Sequence, residues 1–434
     1  MRNKSNIFSR TKTVVFHIDV NSAYLAWESL ERMKAGEVVT VVVNGHECQI
    51  SDLRAIPSIV GGDPETRRGI VLSKSLPCKP YKIQTGESLM SAVKKCPGLF
   101  IAPARFGIYE RYSDDLIAYL HNFSDRVQQY SIDEAFVDYT HMERHFGSPM
   151  EAADKIRNGI RDAFGFTVSI GVGPNKLLAK MATGLRKPDF TNTLLEGEIG
   201  KMWALPIEEL FMAGRATAPK LRKLGIQTIG DLARFDVRYL VPTFKSFSHV
   251  LWNYANGIDD SAVEPHHSAA KSVGNSTTIP FDVTRYDDAN RVLLNLCESV
   301  GKRLRLTHTV ASSVSIGIRN SDFIHYSHQR RCSPTDNTTT LYNHAAQLFR
   351  EAWKRDPVRQ LGVRADKLSD SRMGQLNLFG QEETDRQMRL DASIDSIRRR
   401  FGDESVMRAS FLCKDEKRDH TLDRFSPFRS TGGL

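Results

Sequence analysis

Residues 13–24 read TVVFHIDVNSAY, and this stretch governs how the N-terminal part of the chain folds. The apolar run at 13–18 ends at Asp19 and is typical of a short buried strand. Residues 22–33 follow with the spacing of a helix, and Ser22 stands where a helix N-cap is expected. The stretch therefore predicts a strand that leads directly into a helix, with a carboxylate at the junction.

Further elements complete one folding unit around this strand. Helical spacing of apolar residues predicts helices at 108–121 and 150–164. Further strands are predicted at 126–131, 135–139 and 167–172. With an insert at 31–103 set aside, the order is β-α-β-β-α-β, which is the split βαβ or ferredoxin-like arrangement.

Three carboxylates fall at the junctions of this unit. Asp19 ends the first strand, and Asp133 and Glu134 join the second strand to the third. The first and third strands of a split βαβ sheet are neighbours, so we expect the three carboxylates at one edge of the sheet. They repel one another unless a cation joins them, and Mg²⁺ or Mn²⁺ prefers such hard oxygen ligands. Two ions of this kind suit a phosphoryl displacement. For a single carboxylate, a polar turn or a helix cap is the alternative.

Composition limits the class of protein. The chain has 434 residues, is 40% hydrophobic and 26% charged, and is long enough for about three packed domains. We expect no membrane span and no secretory signal, because no apolar run is long enough and the N-terminus is polar and basic. Six scattered cysteines argue against a zinc site and indicate a reducing cytoplasm. The net charge of +9 favours nucleic acid as a partner, although a basic enzyme without such a partner is the alternative.

Different patterns follow in the second half of the chain. Residues 199–251 contain short helical patterns broken by glycines, and the polar stretch 256–267 is interpreted as a linker. Residues 272–363 again have the order β-α-β-β-α-β, and one strand alternates apolar with small or polar side chains. The tail from residue 367 onward is polar and charged, with helical spacing at Ile394, Ile397 and Phe401.

Several short motifs have both a functional and a structural interpretation. Residues 169–180, SIGVGPNKLLAK, place Lys176 in the first turn of a helix, where anions bind, but solvated lysines are the alternative. Residues 218–232 suggest a helix-turn-helix that holds a DNA phosphate, or an ordinary helical hairpin. The apolar group within 375–379 suggests a binding peptide, or an edge strand. Lys79 and Lys82 lie in a basic loop of the insert.

Five motifs occur in order along the chain: FHIDVNSAY (16–24), YSIDEAFVD (130–138), SIGVGPNKLLAKMAT (169–183), LRKLGIQTIGDLA (221–233) and KSVGNSTTIP (271–280). Taken together, they resemble the motifs of the Y-family, or lesion-bypass, DNA polymerases, most closely the UmuC-like branch of Gram-positive bacteria and their mobile elements. The resemblance covers about residues 13–363.

The resemblance implies an α+β, multidomain, right-hand polymerase. The ferredoxin-like unit would be the palm, the insert small fingers, the helical segment a thumb with a helix-hairpin-helix, and the second split βαβ unit a little finger that grips the DNA backbone. The implied domains are palm 12–30 and 104–192, fingers 31–103, thumb 193–256, linker 257–270, little finger 271–365 and a charged tail 366–434.

Metal and gate residues follow from the same resemblance. Asp19 and Asp133 match the bridging ligands of two Mg²⁺ or Mn²⁺ ions, with Glu134 alongside and the carbonyl of Val20 as a backbone ligand. Tyr24 matches the steric gate that rejects a ribose 2′-OH. Ser22 and Ala23 beside it suggest a roomy dNTP site.

The remaining contacts are also implied by position. Lys176 matches a lysine that meets the triphosphate, and Lys79 falls at a phosphate-binding position of the fingers. Leu76 occupies the place of the fingers tyrosine, so Ser73 is the candidate replacement. In the thumb, Met212-Ala213-Gly214 stands where Gly-Ile-Gly is usual. The peptide Gln375-Leu376-Asn377-Leu378-Phe379 resembles the segment that binds the sliding clamp.

These features predict a DNA-directed DNA polymerase for error-prone translesion synthesis in DNA repair and an SOS-type response. It would use dNTPs and primer-template DNA, including damaged DNA, in the cytoplasm at the nucleoid. The need for an accessory subunit stays open.

The main alternative is a non-catalytic DNA- and clamp-binding scaffold, which would not need the three carboxylates. RNA-binding modules would place paired aromatics on the central strands, where strand 312–318 has none. A nucleotide cyclase would need neither the helix-hairpin-helix nor the clamp peptide.

Overall fold

The computed structural model describes residues 13–43, 46–62, 69–265, 269–371 and 381–411. They form two compact units, the first ending before residue 268 and the second following it. The peptide 375–379 lies outside the described residues. None of the helices in the described ranges has the length and apolar content that crossing a bilayer requires.

The first hundred residues contain the first strand and helix of the central sheet and then the insert. The strands and helices are β1 (Val15–Val20), α1 (Ala23–Lys34), β2 (Val39–Val43), β3 (His46–Ile50), β4 (Ser58–Gly61), β5 (Val71–Lys74), α2 (Leu89–Lys95) and β6 (Phe100–Pro103). The insert folds as the hairpin β2–β3 and a three-stranded sheet in the order β5-β4-β6. Ile59, Ile83 and Leu89 are among the buried residues of its small core.

The next ninety residues complete the central sheet. They form α3 (Phe106–Leu120), β7 (Val127–Gln129), β8 (Glu134–Asp138), α4 (Glu143–Phe146), α5 (Pro149–Phe164), β9 (Val168–Gly173), α6 (Lys176–Leu185) and β10 (Thr191–Thr193). The strand order is β10-β9-β1-β8-β7, so the first and third strands of the predicted split βαβ unit are neighbours, as expected. Strand β10, which the sequence interpretation did not include, adds a parallel edge to β9.

The two faces of β1 serve different purposes. Phe16, Ile18 and Val20 point into the main core, which they share with α1, α3 and α5. Successive strand residues point to opposite faces, so His17 and Asp19 face the other side, where α6 packs on β1 and β9. Gly171 of β9 permits this close packing, because a Cβ there would overlap the carbonyl oxygen of Ala179 in α6. The glycines of the 169–180 motif therefore serve helix packing.

Short helices make up the segment that follows. They are α7 (Gly200–Trp203), α8 (Ala218–Lys223), α9 (Ile229–Arg234), α10 (Val241–Phe244) and α11 (Phe247–Ala255). Gly225 has φ of +84° in the turn between α8 and α9. Thr228 begins α9 with a capping box, in which its hydroxyl accepts from the Asp231 amide and the Asp231 carboxylate accepts from the Thr228 amide.

The predicted linker is held against the first unit. Val263 is buried beside Val15, Phe136 and Ala179. The Asp259 carboxylate accepts from the Leu177 amide at the start of α6, at 3.1 Å. Polar composition indicated a linker, and in the structure one buried valine and one aspartate that accepts from the first turn of α6 hold the segment in place.

The second unit is a four-stranded antiparallel sheet with helices on one face. Its elements are β11 (Ser272–Val283), α12 (Tyr286–Leu306), β12 (Thr309–Asn320), β13 (His325–Thr335), α13 (Thr338–Ala352), β14 (Val358–Asp370) and α14 (Gln381–Phe401). The strand order is β11-β14-β12-β13, which differs from that of the first sheet, although the order along the chain is the same. Val314, Ile316 and Ile318 enter the core with α12 and α13, as the alternation predicted.

Charged residues fix the tail helix α14 to this unit. Arg398 donates to the carboxylate of Glu298 in α12 at 3.0 Å, and both side chains are buried. Arg305 of α12 pairs with Asp395 at 2.6 Å and with the buried Asp391. The tail was predicted to be charged and partly helical. The structure adds that ion pairs with α12 hold α14 against the second unit.

Candidate active site

The register of two neighbouring strands brings the predicted carboxylates together. Asp19 of β1 is directly opposite Glu134 of β8. Asp133 precedes β8, its carbonyl oxygen accepts from the Val20 amide at 3.0 Å, and its carboxylate accepts from Ser131 at 2.6 Å. Two hydrogen-bonded segments therefore hold Asp19, Asp133 and Glu134 at one edge of the sheet.

Burial and neighbouring charges shift the pKa of Asp19. Desolvation raises the pKa of Asp19 from 3.8 to about 6, while the ammonium of Lys187 opposes the rise and the charges of Glu134 and Asp133 add to it. The Lys187 Nζ donates to the Asp19 carboxylate at 2.7 Å. The site thus contains a carboxylate that is costly to ionise and that already pairs with a cation.

A second lysine serves Glu134. The Lys180 Nζ donates to Glu134 at 2.7 Å and lies 3.3 Å from Nε2 of the buried His17. The other nitrogen of His17 lies 2.9 Å from the Thr183 hydroxyl. Burial, and then Lys180 and Lys187, hold the pKa of His17 well below 6.5. A neutral His17 can therefore accept a hydrogen bond from Lys180.

Lys176 lies away from the carboxylates in the structure, and its predicted contact with the triphosphate stays a prediction. Helix α6 begins just after Gly173, which pairs with Val15 at the opposite end of β1 from Asp19. Val15 and Asp19 are four residues apart along this strand, which corresponds to about 13 Å. The Lys176 Nζ instead donates to Gln128 at 3.2 Å. Lys180 and Lys187, which the sequence interpretation missed, reach the site because α6 runs back along the sheet toward Asp19.

The predicted gate residues lie at the start of α1, next to Asp19. Ser22 takes the N-cap position with a left-handed backbone, but its side chain makes no capping hydrogen bond. Ala23 is buried, and Tyr24 is half-buried with its ring against Tyr109. Burial, and next the charge of Asp133, raise the pKa of Tyr24.

The predicted fingers and thumb positions show less specific features. Ser73 is buried in β5 opposite Val60, and Lys79 is exposed at the end of a short 3₁₀ turn. Met212 has φ of +72°, a backbone region that favours glycine. The unusual Met212 therefore keeps the backbone conformation that glycine takes most easily.

The donor set fits a hard divalent cation. Carboxylate oxygens from Asp19, Asp133 and Glu134 are the ligands that Mg²⁺ prefers. Asp19 and Glu134 already attract lysine ammonium groups, so the site is electrostatically suited to positive charge. Across the described residues, no three Asp, Glu, His or Cys side chains stand close enough together to hold one ion without rearrangement.

Comparison with known proteins assigns the chain to a family. Residues 18–184 match the impB/mucB/samB family, and residues 270–378 match the C-terminal domain of that family. The DNA polymerase IV of Clostridium acetobutylicum is 42% identical over 93% of this chain and 99% of its own length. The chain belongs to the impB/mucB/samB family of Y-family DNA polymerases. A DNA polymerase IV 2 of Bacillus subtilis is 34% identical over 92% of this chain and 94% of its own length.

The fold agrees with the family. A solved Y-family DNA polymerase chimera aligns with a TM-score of 0.70 at 23% identity and covers 82% of this chain and 99% of its own. The predicted α+β polymerase fold is thereby confirmed. As a member of this family, the chain is a metal-dependent, DNA-directed DNA polymerase for translesion synthesis, and this assignment favours the enzyme over the scaffold alternative.

Proposed function

We propose that Asp19, Asp133 and Glu134, with the carbonyl of Val20, hold two Mg²⁺ ions for nucleotidyl transfer from a dNTP to a primer 3′-OH. The observation that carries the proposal is the pairing of Asp19 with Glu134 across neighbouring strands, beside Asp133. When bound, the ions would lower the barrier to attack by the 3′-OH and stabilise the departing pyrophosphate. The protein holds the carboxylates in place through the sheet.

Lys187 is our candidate for the triphosphate contact. Its side chain is partly exposed, reaches the Asp19 carboxylate, and follows α6 at the active-site end of the sheet. The N-terminus of α1, with Ser22 and Ala23, adds backbone N–H groups that suit phosphate oxygens. Lys79 and Ser73 extend the dNTP site on the fingers.

Tyr24 would select the sugar. Its ring lies at the start of α1, where the charge of Asp133 acts on it, and its movement is limited by the buried Tyr109 and the partly buried Phe106. A bulky ring at this place would clash with a 2′-OH and leave a 2′-deoxyribose undisturbed. This selection by clash needs no hydrogen bond to the sugar.

The domain roles and the grip on DNA are further parts of the proposal. The central sheet would be the palm, the 31–103 insert the fingers, α7–α11 the thumb, and residues 271–365 the little finger. One face of the second sheet carries a groove of about 790 Å³ lined by Gly274, Ser276, Gly317, Gly362 and Arg364, among others. Small and polar side chains with an arginine suit a DNA backbone, so binding should weaken as salt rises.

The peptide 375–379 would dock on the sliding clamp, with Gln375 at the rim of the clamp pocket and Leu378 and Phe379 inside it. A direct test is binding of purified clamp to wild type and to Leu378→Ala/Phe379→Ala. Loss of binding with unchanged primer extension in the absence of clamp supports the assignment, and unchanged clamp affinity contradicts it.

Primer extension tests the catalytic proposal. Wild type and Asp133→Ala/Glu134→Ala are compared with Mg²⁺, with Mn²⁺ and without metal, on undamaged templates and on templates with one abasic site. The matched control is Asp114→Ala/Asp115→Ala, which removes two adjacent exposed carboxylates from α3. We expect extension by wild type and control, and none by the double variant. Extension by a folded Asp133→Ala/Glu134→Ala protein would exclude these residues as metal ligands.

A further inference from the structure

The ring of Tyr24 rests on a second tyrosine that is completely buried. The rings of Tyr24 and Tyr109 stack with their centroids 4.9 Å apart and their planes 26° from parallel. Tyr109 is 0% exposed, and Phe106 meets Tyr24 edge-on at 6.1 Å. Tyr109 of α3 therefore forms the wall behind the proposed gate.

A buried carboxylate fixes that wall. Glu28 lies one helical turn after Tyr24 and is 0% exposed. It accepts from the Tyr109 hydroxyl at 3.0 Å, from Arg105 Nε at 3.0 Å and from Arg32 Nε at 2.8 Å. A carboxylate buried this deeply is tolerated only with such charged and hydrogen-bonded partners. Tyr109 is thus tied by its hydroxyl to α1, the helix that also carries Tyr24.

We propose that Glu28 is a positioning residue for sugar selection, acting through Tyr109. A clash rejects a 2′-OH only if the gate ring cannot retreat, since a small movement of the ring relieves the overlap. The hydrogen bond from Tyr109 to Glu28 keeps the stacked ring in place behind Tyr24. The inference rests on the proposed role of Tyr24 as the gate.

A purely structural role for Glu28 makes a different prediction. Glu28 joins α1 to the start of α3, because it accepts a hydrogen bond from Arg105. It also accepts from Arg32, whose guanidinium lies 5.9 Å from the centroid of the Phe100 ring. If it served only to hold these elements together, its loss would lower stability and slow the use of dNTPs and rNTPs alike. A positioning role instead changes the ratio between the two substrates.

The test measures kcat and KM for dCTP and rCTP opposite a template guanine. Tyr109→Phe removes only the hydroxyl, and Glu28→Gln keeps the shape of the side chain but removes its charge. The matched control is Tyr139→Phe, because Tyr139 is also fully buried, stacks on Phe16 at 4.7 Å, and donates its hydroxyl to Gly147 at 2.7 Å. All proteins are assayed at a temperature at which thermal unfolding shows them folded.

We expect Tyr109→Phe to lower the preference for dCTP over rCTP by about 5- to 10-fold, since a hydrogen bond to a charged group is lost. The change should come from a lower KM for rCTP, with dCTP kinetics nearly unchanged and Tyr139→Phe like wild type. An unchanged preference in Tyr109→Phe overturns the inference, even if Glu28→Gln fails to fold. Tyr24→Ala separates the failure of this inference from the failure of the proposed gate. If Tyr24→Ala leaves the preference for dCTP over rCTP unchanged, the proposed gate itself is wrong.

Discussion

Replacing Asp19 by Asn should make the metal-free protein more stable while abolishing activity. Burial and the adjacent carboxylates raise the pKa of Asp19 from 3.8 to about 6, despite the opposing Lys187. The folded protein therefore binds this proton more tightly than the unfolded chain does. The stability that the tighter proton binding of Asp19 contributes is lost as the pH rises from about 4 to about 6. Above about pH 6, Asp19 is ionised in the folded protein and the full free-energy cost of burying its charge is present.

The size of the effect follows from the pKa. Each pKa unit corresponds to about 1.4 kcal/mol, so ionised Asp19 costs the folded state about 3 kcal/mol at about pH 7.5. At about pH 5 the folded form is mostly protonated, and the cost falls to about 1.5 kcal/mol. Asn cannot ionise, and Asp19→Asn should gain these amounts in the free energy of unfolding.

Urea unfolding with a metal chelator, at both pH values, measures this difference. Asp115→Asn, which changes an exposed carboxylate of α3, is the control and should alter the free energy of unfolding by less than about 0.5 kcal/mol. Added Mg²⁺ should stabilise wild type more than Asp19→Asn, because only wild type keeps every one of the proposed metal ligands. The reasoning is refuted if Asp19→Asn is less stable than wild type at about pH 7.5, or if its gain does not depend on pH.

Three further predictions concern other parts of the chain. Lys187→Ala should raise the KM for dNTPs at least about 10-fold, whereas Lys176→Ala should change it less than about twofold. Steady-state kinetics with the opposite ranking would favour Lys176 over Lys187 as the triphosphate contact. Gly171→Ala should lower the free energy of unfolding by about 2 kcal/mol, because the added Cβ would press on the backbone of α6. An unchanged free energy in urea unfolding would mean that α6 can shift to make room. Arg398→Ala should destabilise the second unit by about 3 kcal/mol, because the buried Glu298 carboxylate of α12 loses a partner. The control Arg399→Ala, which changes an exposed arginine, should cost less than about 0.5 kcal/mol. Equal shifts of the melting temperature for both variants would contradict the buried ion pair.

The sequence was sufficient to predict the meeting of the carboxylates and every element of the two split βαβ units, but not the added edge strand β10. Strand and helix periodicity are local properties, so most element bounds agree with the structure to within a few residues. The split βαβ order makes the first and third strands neighbours, which is why Asp19 and Glu134 could be paired without coordinates.

Only the tertiary structure shows which lysines lie beside the carboxylates. Lys176, Lys180 and Lys187 all lie on or just after one helix, and their spacing does not tell in which direction α6 crosses the sheet. Because α6 packs antiparallel to β9, its start lies far from Asp19 and its end lies near it. The packing role of Gly171 was not predicted for the same reason, since close helix packing depends on a partner distant in sequence.

The sequence by itself determined the order of strands and helices, the polymerase family and the three carboxylates, because each depends on local periodicity or on a short motif. The tertiary structure alone decided the strand order of the second sheet, the docking of the linker and the burial of charged residues such as Glu28 and Glu298. In a sequence a buried charge cannot be told from a solvated one, because its partners come from other segments of the chain, and only folding brings them within hydrogen-bond distance.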